Sequence, residues 1–293
     1  MTGSGTVSDP YLVADVYDFC EMLNGATGLY YKLVSNIDFN VHDTYKYGIT
    51  NTIGNSNSRY LDGDGHEVRN MVCSNDSIKL WFGSGTISNT NFVNIIIKSV
   101  TYNGHLQIYA SKFINCNFGY YLFDSSFKSI FNSSAEGIVQ FTNCTFNITG
   151  SLNIGNTFFA KFNMCHINFK DFTVNHTYLL MSDYYNTAFE NTYVTGSIKS
   201  STLVGLLDNS VREITIKNSY FSIDMGSNTK LKYTSKSNMS TELCLVDKTL
   251  MPYMTYTSEN STTTNISGLY LLTAEQFKNN GYLNSIGFLV MQI

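Results

Sequence analysis

The chain has 293 residues with a formal net charge of −4, and only 14% of its residues are charged. This balance leaves no basic stripe for nucleic acid, and no apolar run approaches the ~20 residues that span a bilayer. The composition of 43% hydrophobic residues, with 20 Phe and 21 Tyr against 2 Pro, suits a sheet-rich core, because proline would remove backbone donors. We therefore expect one elongated body and not two globular domains.

The first elements predicted along the chain are a strand and a short helix within 9–23. Asp15 suits an N-cap. The apolar residues that follow it have the spacing of one helical face: Val16, Phe19, Met22 and Leu23. Such a helix is expected to plug the first coil of a solenoid, whose end must be covered. A strand at 33–39 follows, and residues 60–72 contain a Gly-rich turn and then another strand.

A short sequence motif of aromatic and Asn residues recurs through the middle of the chain. Its copies begin at Asn91, Phe113, Phe141, Phe162, Phe189 and Ile216. The anchor residues Asn94, Asn115, Asn143, Met164, Asn191 and Asn218 are 21, 28, 21, 27 and 27 residues apart. A unit of this length in fixed register indicates a solenoid, and its alternation of apolar and polar residues favours strands. The units are too short for a propeller blade and lack the leucine-rich-repeat spacing, so a parallel β-helix of roughly ten coils is predicted.

Stacked coils predict ladders of like residues, because neighbouring strands lie ~4.8 Å apart. The aromatic residues expected in one buried stack are Phe113, Phe141, Phe162 and Phe189. The recurring Asn residues are expected to form an amide ladder in which each side chain bonds to the next coil. Cys116, Cys144 and Cys165 share one register. They are interpreted as reduced, buried small residues in preference to a metal or disulfide ladder.

The N-terminal segments resemble the opening of a known family. These segments are Gly3-Ser-Gly-Thr with Asp9-Pro-Tyr-Leu-Val, Tyr31-Lys-Leu-Val-Ser-Asn-Ile-Asp-Phe, and Leu61-Asp-Gly-Asp-Gly-His-Glu-Val. They are similar to pectate-lyase-like right-handed β-helix proteins, especially the GLUG-type repeat proteins of bacterial surfaces and phage tails, although Asn36 stands where that family usually has Asp. The resemblance implies an all-β fold, a right-handed single-stranded parallel β-helix with short capping helices. It implies no single activity, because the family includes lyases, hydrolases, adhesins and stalks.

The far end of the chain has a different character. Residues 227–267 are rich in Ser, Thr and Asn and break the period, so an irregular insertion is predicted there. Thr273 and Gln276 then form a capping box before a short helix. The apolar end, 287–293, is expected to need a partner such as a neighbouring subunit. The predicted organisation is an N-terminal cap with the first coils (1–80), regular coils (81–226), the insertion (227–267), and a C-terminal cap helix and strand (268–293).

Few residues suggest catalysis. Glycan hydrolysis needs two carboxylates about 5.5 Å or about 6.5–9.5 Å apart, a range that acids on neighbouring coils can meet. Asp183 and Asp208 are the candidates for such a pair, with Asp171 or Glu190 beside them, and turn-forming surface acids are the alternative. The acids and histidine of 62–66 are interpreted as a turn. No cofactor or metal is expected, because the scattered histidines lack metal-ligand spacing.

Two tyrosine pairs are candidates for glycan binding. They are Tyr120 with Tyr121, and Tyr184 with Tyr185, both expected at turns. Tyrosine offers a flat apolar face and a polar tip, which together suit a sugar ring. Packing against a neighbouring coil or subunit is the alternative.

The leading hypothesis is a phage virion protein, a homotrimeric tail-spike or tail-fibre-like appendage subunit that engages a host-surface receptor or glycan beside other virion proteins. It follows from the resemblance and from a start without the pattern of a signal peptide, which predicts synthesis in the host cytoplasm. A polysaccharide depolymerase on the same appendage, either a glycoside hydrolase or a polysaccharide lyase, is one alternative. A capsid decoration or stalk, and a bacterial surface adhesin, are the others. Neither nucleic-acid binding nor membrane insertion is expected.

Overall fold

The computed structural model describes residues 1–41, 54, 57–73, 79–81, 85–99, 105–107, 112–125, 139–152, 160–174, 178–181, 187–199, 205–208, 214–224, 239–247, 250, 256–258, 261–263 and 269–286. Within them the chain forms a parallel β-solenoid with little helix. The predicted fold class, an all-β parallel β-helix with short helices, is confirmed.

Twenty-five strands and three α-helices make up the described chain. The strands of the first half are β1 (Tyr11–Val13), β2 (Leu29–Leu33), β3 (Ile37–Asp38), β4 (Arg59–Asp62), β5 (Glu67–Arg69), β6 (Val72–Cys73), β7 (Lys79–Trp81), β8 (Thr86–Ser88), β9 (Asn91–Ser99), β10 (His105–Gln107), β11 (Lys112–Ile114) and β12 (Asn117–Ser125). Those of the second half are β13 (Val139–Thr142), β14 (Thr145–Leu152), β15 (Ala160–Asn163), β16 (His166–Val174), β17 (Tyr178–Met181), β18 (Thr187–Glu190), β19 (Tyr193–Lys199), β20 (Gly205–Asp208), β21 (Ile214–Asp224), β22 (Met239–Asp247), β23 (Tyr256–Ser258), β24 (Ser261–Thr263) and β25 (Leu269–Leu272). The helices are α1 (Val16–Asn24), α2 (Ala274–Lys278) and α3 (Asn280–Ser285), and a 3-10 turn covers Phe39–Val41.

Two long parallel ladders carry most of the pairing. The first ladder joins β1, β2, β4, β8, β11, β13, β15, β18, β21 and β22 in that order. The second ladder joins β3, β5, β9, β12, β14, β16, β19, β21, β22 and β25. Three shorter parallel pairs are β6 with β9, β7 with β10 and β17 with β20, while β23 and β24 pair antiparallel. Because each coil returns to the register of the one before, equivalent residues stack along the axis.

A sharp turn between the two ladders places one residue in the left-handed region in each of seven successive coils, from the coil of β8 and β9 to that of β22. The residues there have φ between 45° and 54°: Asn89, Asn115, Asn143, Met164, Asn191, Asn218 and Leu243. Asn suits this position, because it is among the few residue types that tolerate left-handed backbone. The predicted first anchor, Asn94, is wrong, since it lies inside β9 while Asn89 holds the anchor register 26 residues before Asn115. The true opening of that copy carries Ile87 where the next four copies carry Phe, which hid the register.

The predicted phenylalanine stack is confirmed. Ring centroids are 5.1 Å apart for Phe113 and Phe141, 5.3 Å for Phe141 and Phe162, and 5.3 Å for Phe162 and Phe189. All four side chains are buried. A second stack on the other ladder joins Phe92, Phe118 and Phe146 at 5.0 and 4.7 Å. The interior is therefore narrow and filled by stacked rings, which meet across it edge to face.

The predicted amide ladder is also confirmed, and it runs along the turn between the ladders. Each side-chain NH2 donates to an oxygen one coil earlier: Asn89 to Asp62 (2.9 Å), Asn115 to Asn89 (3.2 Å), Asn143 to Asn115 (2.8 Å), Asn191 to Asn163 (3.1 Å) and Asn218 to Asn191 (2.7 Å). Met164 interrupts the row, so Asn191 reaches Asn163 instead. The turn side chains thus connect consecutive coils by hydrogen bonds as well as by backbone pairing.

The cysteines of the repeat lie just inside this turn. One buried register holds Thr90, Cys116, Cys144, Cys165, Thr192, Ser219 and Cys244. Cys144 donates to the carbonyl of Thr142 at 3.3 Å, and Ser219 makes the equivalent bond to Lys217 at 2.8 Å. The cysteines here are free thiols. Since Ser and Thr make the same bond in the same register, the structural interpretation of small buried residues fits this row.

Helix α1 covers the first coil as predicted. The Asp15 carboxylate accepts a hydrogen bond from the Asp18 amide at 2.9 Å and caps the helix. Val16, Phe19, Met22 and Leu23 are buried in the main core, as their spacing predicted. Phe19 meets Phe39 edge to face at 6.1 Å. This helix therefore shields the apolar end of the stack from water.

The C-terminal helices differ from the predicted end cap. The capping box of Thr273 and Gln276 is present. However, Leu283 of α3 packs with Tyr193, Leu245 and Leu272 in a separate cluster. Val194 and Val246, the neighbours of Tyr193 and Leu245, belong to the main core, so alternation places this cluster on the outer face of the second ladder. The helices thus lie against the side of the last coils.

The segment predicted as an irregular insertion contains a further coil. β22 pairs in parallel with β21 along most of its length and then with β25. The repeated motif is hard to recognise there, because Leu243 occupies the turn position that Asn holds in most coils. Cys244 still occupies the buried position of the cysteine row. The predicted irregularity is therefore wrong for 239–247. The apolar segment 287–293 lies outside the described residues.

Candidate functional site

A groove runs along the outer face of the first ladder at its N-terminal end. Alternation in β2, β4 and β8 turns one set of side chains outward: Tyr30, Lys32, Tyr60, Asp62, Thr86 and Ser88. Their neighbours Tyr31, Leu61 and Ile87 are buried in the core. The outward residues come from three consecutive coils, so the backbone ladder fixes their spacing.

Gly85 allows the third of these strands to approach the second. A Cβ atom at this position would lie 1.4 Å from the carbonyl oxygen of Arg59, so a side chain cannot be accommodated. Its own carbonyl accepts a hydrogen bond from the Lys112 amide at 2.9 Å. Gly85 therefore sets β8 tightly against β4 and places Thr86 directly beside Tyr60.

Two tyrosines form the apolar wall of the groove. The rings of Tyr30 and Tyr60 are stacked, with centroids 4.4 Å apart and planes 13° from parallel. They are Cα partners on neighbouring coils, so the stack follows the solenoid axis. Tyr60 has 36% of its surface exposed. An exposed, ordered aromatic face of this kind can contact the apolar face of a ligand ring.

Charged and hydroxyl groups line the side of the groove next to the tyrosines. Lys32 Nζ lies 2.9 Å from Asp64 Oδ2. This hydrogen bond raises the pKa of Lys32 and lowers the pKa of Asp64, so both groups are charged at neutral pH. Asp62 Oδ1 accepts from the Asp64 amide at 3.0 Å and from the Asn89 side chain at 2.9 Å. The groove therefore offers an ammonium group, an oriented carboxylate and hydroxyl groups.

The groove has the size and mixed lining of a small-molecule site. Its volume is about 390 Å³, and ligand pockets commonly span about 300–1,000 Å³. The lining residues are Val7, Pro10, Tyr30, Tyr31, Lys32, Tyr60, Leu61, Asp62, Thr86 and Ser88. A flat aromatic wall beside hydrogen-bonding groups can hold a hydroxylated ring in one orientation.

The sequence-predicted site residues fall elsewhere. Asp183, Tyr184 and Tyr185 lie outside the described residues. Asp208 ends β20 and is the Cα partner of Met181. Tyr120 and Tyr121 lie within β12, in a strand that shifts register between Phe118 and Tyr121, and not in a turn. Their roles in catalysis and glycan binding stay predictions.

Two further acids, Asp64 and Asp171, are turn and surface residues. Asp64, with φ of 49°, and Gly65, with φ of 81°, form the turn predicted after β4. Asp171 pairs with Lys199 at 3.2 Å on the surface. Across the described ranges, no group of three or more His, Cys, Asp and Glu could hold a metal ion. No helix in the described part of the chain has the length and apolarity to cross a membrane.

The amino-acid sequence alone carries too little signal to identify the Tyr30–Tyr60 groove. Both tyrosines lie before the repeated motif, and the 29 residues between them carry no copy of it. Alternation in Leu29–Leu33 and Arg59–Asp62 does show which side chains point outward. Which of those side chains become neighbours depends on the register between β2 and β4, which the connecting segment does not reveal.

Comparison with known proteins does not assign the chain to a family. No protein-family model matches the chain, and no curated protein matches it. Among solved structures, the chain is similar to a putative immunoglobulin A1 protease from Bacteroides ovatus, with 17% identity and a TM-score of 0.49 over 97% of this chain and 90% of that one. A likeness at this level carries no information about activity. The pectate-lyase-like resemblance and the phage link stay predictions.

Proposed function

We propose that this protein is an attachment protein whose β-helix binds a glycan in the Tyr30–Tyr60 groove. The observation that carries the proposal is the stacked tyrosine pair beside a carboxylate, an ammonium group and hydroxyls. Sugar rings have an apolar face and a rim of hydroxyl groups, so they need both kinds of contact. Aromatic faces supply the first, and oriented polar groups supply the second.

The scaffold supports binding without large rearrangement. The groove residues stand on strands that are hydrogen-bonded to their neighbours one coil away. Their positions are therefore set before a ligand arrives, and a preformed site loses less conformational freedom on binding. A stable outer wall of this kind suits a protein that must hold a surface glycan.

The sequence resemblance is the basis for a second part of the proposal, which concerns the assembly to which the protein belongs. GLUG-type and tail-spike-like β-helices occur on phage tails and bacterial surfaces. We place this chain in a tail-spike or tail-fibre-like appendage of a virion, as a homotrimer that contacts other virion proteins and a host-surface glycan. The mass of the purified protein by light scattering, and its detection in purified virions, test these two points.

The binding site is tested by Tyr60→Ala. A panel of bacterial surface polysaccharides is immobilised, and binding of the wild type and the variant is followed by biolayer interferometry. Loss of the exposed ring should weaken binding at least about tenfold, equivalent to about 1.4 kcal/mol. Tyr17→Ala is the matched control, because Tyr17 is 60% exposed on α1 and does not line the groove.

Two results would contradict the proposal. One is the absence of binding to any polysaccharide by folded wild type, and the other is equal weakening by Tyr60→Ala and Tyr17→Ala. Thermal unfolding of each variant shows whether the fold is retained. Shortening of a bound polysaccharide during incubation would instead favour the depolymerase alternative.

A further inference from the structure

We infer that the groove holds one neutral saccharide ring on the face of Tyr60 that is turned away from Tyr30, at the level of Thr86. The ring would continue the tyrosine stack by one position. This inference rests on the proposed glycan-binding function and specifies where the glycan lies and which class of sugar it is.

The row of outward side chains that contains the stacked tyrosines has a gap at Thr86. Tyr30, Tyr60, Thr86 and Lys112 are successive Cα partners on β2, β4, β8 and β11. Neighbouring strands are ~4.8 Å apart, so each of these side chains lies next to the one before it. Tyr30 and Tyr60 fill their positions with stacked rings. Thr86 carries only a hydroxyl and a methyl group, which leaves room for a ring between Tyr60 and Lys112.

Polar groups surround the same position. Asp62 and Ser88 are Cα partners in the next outward row, two residues along from Tyr60 and Thr86. The hydrogen bonds that Asp62 accepts within the described residues both end on Oδ1, which leaves Oδ2 for a ligand donor. Ser88 donates its hydroxyl to the Leu61 carbonyl at 3.3 Å and can still accept. A ring on Tyr60 would therefore find acceptors at its edge.

The charges of the groove favour a neutral pyranose. Its hydroxyls can donate to Asp62 and accept from Lys32, while its C–H face contacts Tyr60. The charges of Asp62 and Lys112 beside the ring offset each other, and the charge of Lys32 is offset by Asp64, so the position carries no net positive charge that would attract a uronic acid. A purely aromatic ring would stack equally well, but it would remove water from Asp62 without replacing those hydrogen bonds.

The decisive variant is Thr86→Tyr, which fills the position with a ring of the protein itself. Binding of methyl β-D-glucopyranoside, methyl β-D-galactopyranoside and the methyl glycoside of N-acetylglucosamine is measured by saturation-transfer NMR. A single ring of this size is expected to bind in the millimolar range. Thr86→Tyr should weaken binding at least about tenfold while the thermal midpoint stays equal or rises, because the stack is extended. Thr86→Ser, which keeps the space, should bind like the wild type.

Gln140→Tyr is the matched control for adding a ring. Gln140 is exposed in the same outward register on β13, beyond Lys112. A tyrosine there should leave glycoside binding unchanged. Equal loss in Thr86→Tyr and Gln140→Tyr would overturn the inference, as would full binding by a folded Thr86→Tyr.

The ligand class has its own test. p-Cresol binding without glycoside binding would overturn the saccharide assignment in favour of an aromatic side chain. Tighter binding of methyl glucuronide than of the neutral glycosides would overturn the neutral class. If polysaccharide binding is lost in Tyr60→Ala but kept in Thr86→Tyr, the proposed function stands and the ring position is wrong. If neither polysaccharide nor glycoside binds the wild type, both fall.

Discussion

At the residue scale, the left-handed backbone of the turn explains why Asn recurs at this position of the repeat. Asn accepts positive φ and also offers a donor and an acceptor to the coils on either side. The row ends at Asn218, whose buried Oδ1 has no hydrogen-bond partner within the described residues. The equivalent residue of the next coil is Leu243, which cannot donate. Leu243 packs in the outer cluster with Leu245, so replacing it would also remove apolar contact.

Met164 offers the cleaner test of this position. It has φ of 53° and is 44% exposed, so its side chain contributes little packing. Met164→Asn should raise the free energy of unfolding by about 1 kcal/mol, by relieving left-handed strain and restoring ladder hydrogen bonds. Urea unfolding measures the change.

Two control variants separate the contributions at this position. Met164→Gly relieves the strain without adding a hydrogen bond, and Met164→Ala does neither. The expected order of stability is Asn, then Gly, then Ala. If Met164→Asn is no more stable than Met164→Ala, the amide ladder does not stabilise the stack.

At the element scale, the short helices act through their caps and one apolar face. α1 has nine residues, too few for an isolated helix to be stable in water. It persists because Asp15 satisfies one end and because its buried face packs on the core of the first coil. α2 and α3 follow the same rule on the side of the last coils, where Thr273 and Asn279 cap them.

Asp15→Ala tests whether the cap holds the first coil. Loss of the cap should cost about 1 kcal/mol, and Asp15→Ser, which can still accept from the Asp18 amide, should cost much less. Hydrogen exchange should accelerate in β1 and β2 more than in β13 and β15, because each coil of a solenoid contacts mainly its neighbours. Uniform acceleration along the chain, or none, would show that α1 does not protect that end selectively.

At the scale of the whole molecule, stability comes from the stacked interior and not from surface charge. The ion pairs Lys199–Asp171 and Lys217–Glu242 have side chains more than half exposed, and such pairs contribute little. The interior combines the phenylalanine stacks with a buried row of hydroxyls and thiols. Burial raises the pKa of the Cys244 thiol in this row, so the stability of the whole molecule falls at alkaline pH.

The thiol of Cys244 determines in which direction the free energy of unfolding changes with pH. Burial raises the pKa of its thiol from 9.0 to about 12. Between these values the unfolded thiol loses its proton and the folded one keeps it, so the free energy of unfolding falls as pH rises, by up to about 1.4 kcal/mol per pH unit. Below the unfolded pKa the contribution is fully present.

Cys244→Ser isolates this contribution. Ser219 occupies the same buried register, so serine should fit there. From pH 8 to pH 10.5, urea unfolding should show a loss of stability larger in the wild type than in the variant by about 2 kcal/mol. Tyr31 and Tyr220, whose pKa values burial also raises, contribute equally to both proteins. Parallel stability curves would mean that Cys244 is not shielded from hydroxide in the folded state.

Much of the fold could be predicted because its information is local. Alternation around Phe113 and Phe141, the spacing of Phe19 and Met22, and the capping box at Thr273 each depend on a few neighbouring residues, and all three predictions are confirmed. Where like residues recur at a nearly constant step, stacking follows from the ~4.8 Å spacing of strands. The sequence by itself therefore determined the strand character, the solenoid and the content of its core.

Only the tertiary structure decided which residues of distant coils become neighbours. It placed Asn89 and not Asn94 at the first turn, added β22 to the stack, turned α3 onto the outer face, and set Tyr60 between Tyr30 and Thr86. The physical reason is that connecting segments of variable length leave the register between strands open. Backbone pairing and side-chain stacking together determine this register, and the groove forms only when the register is set.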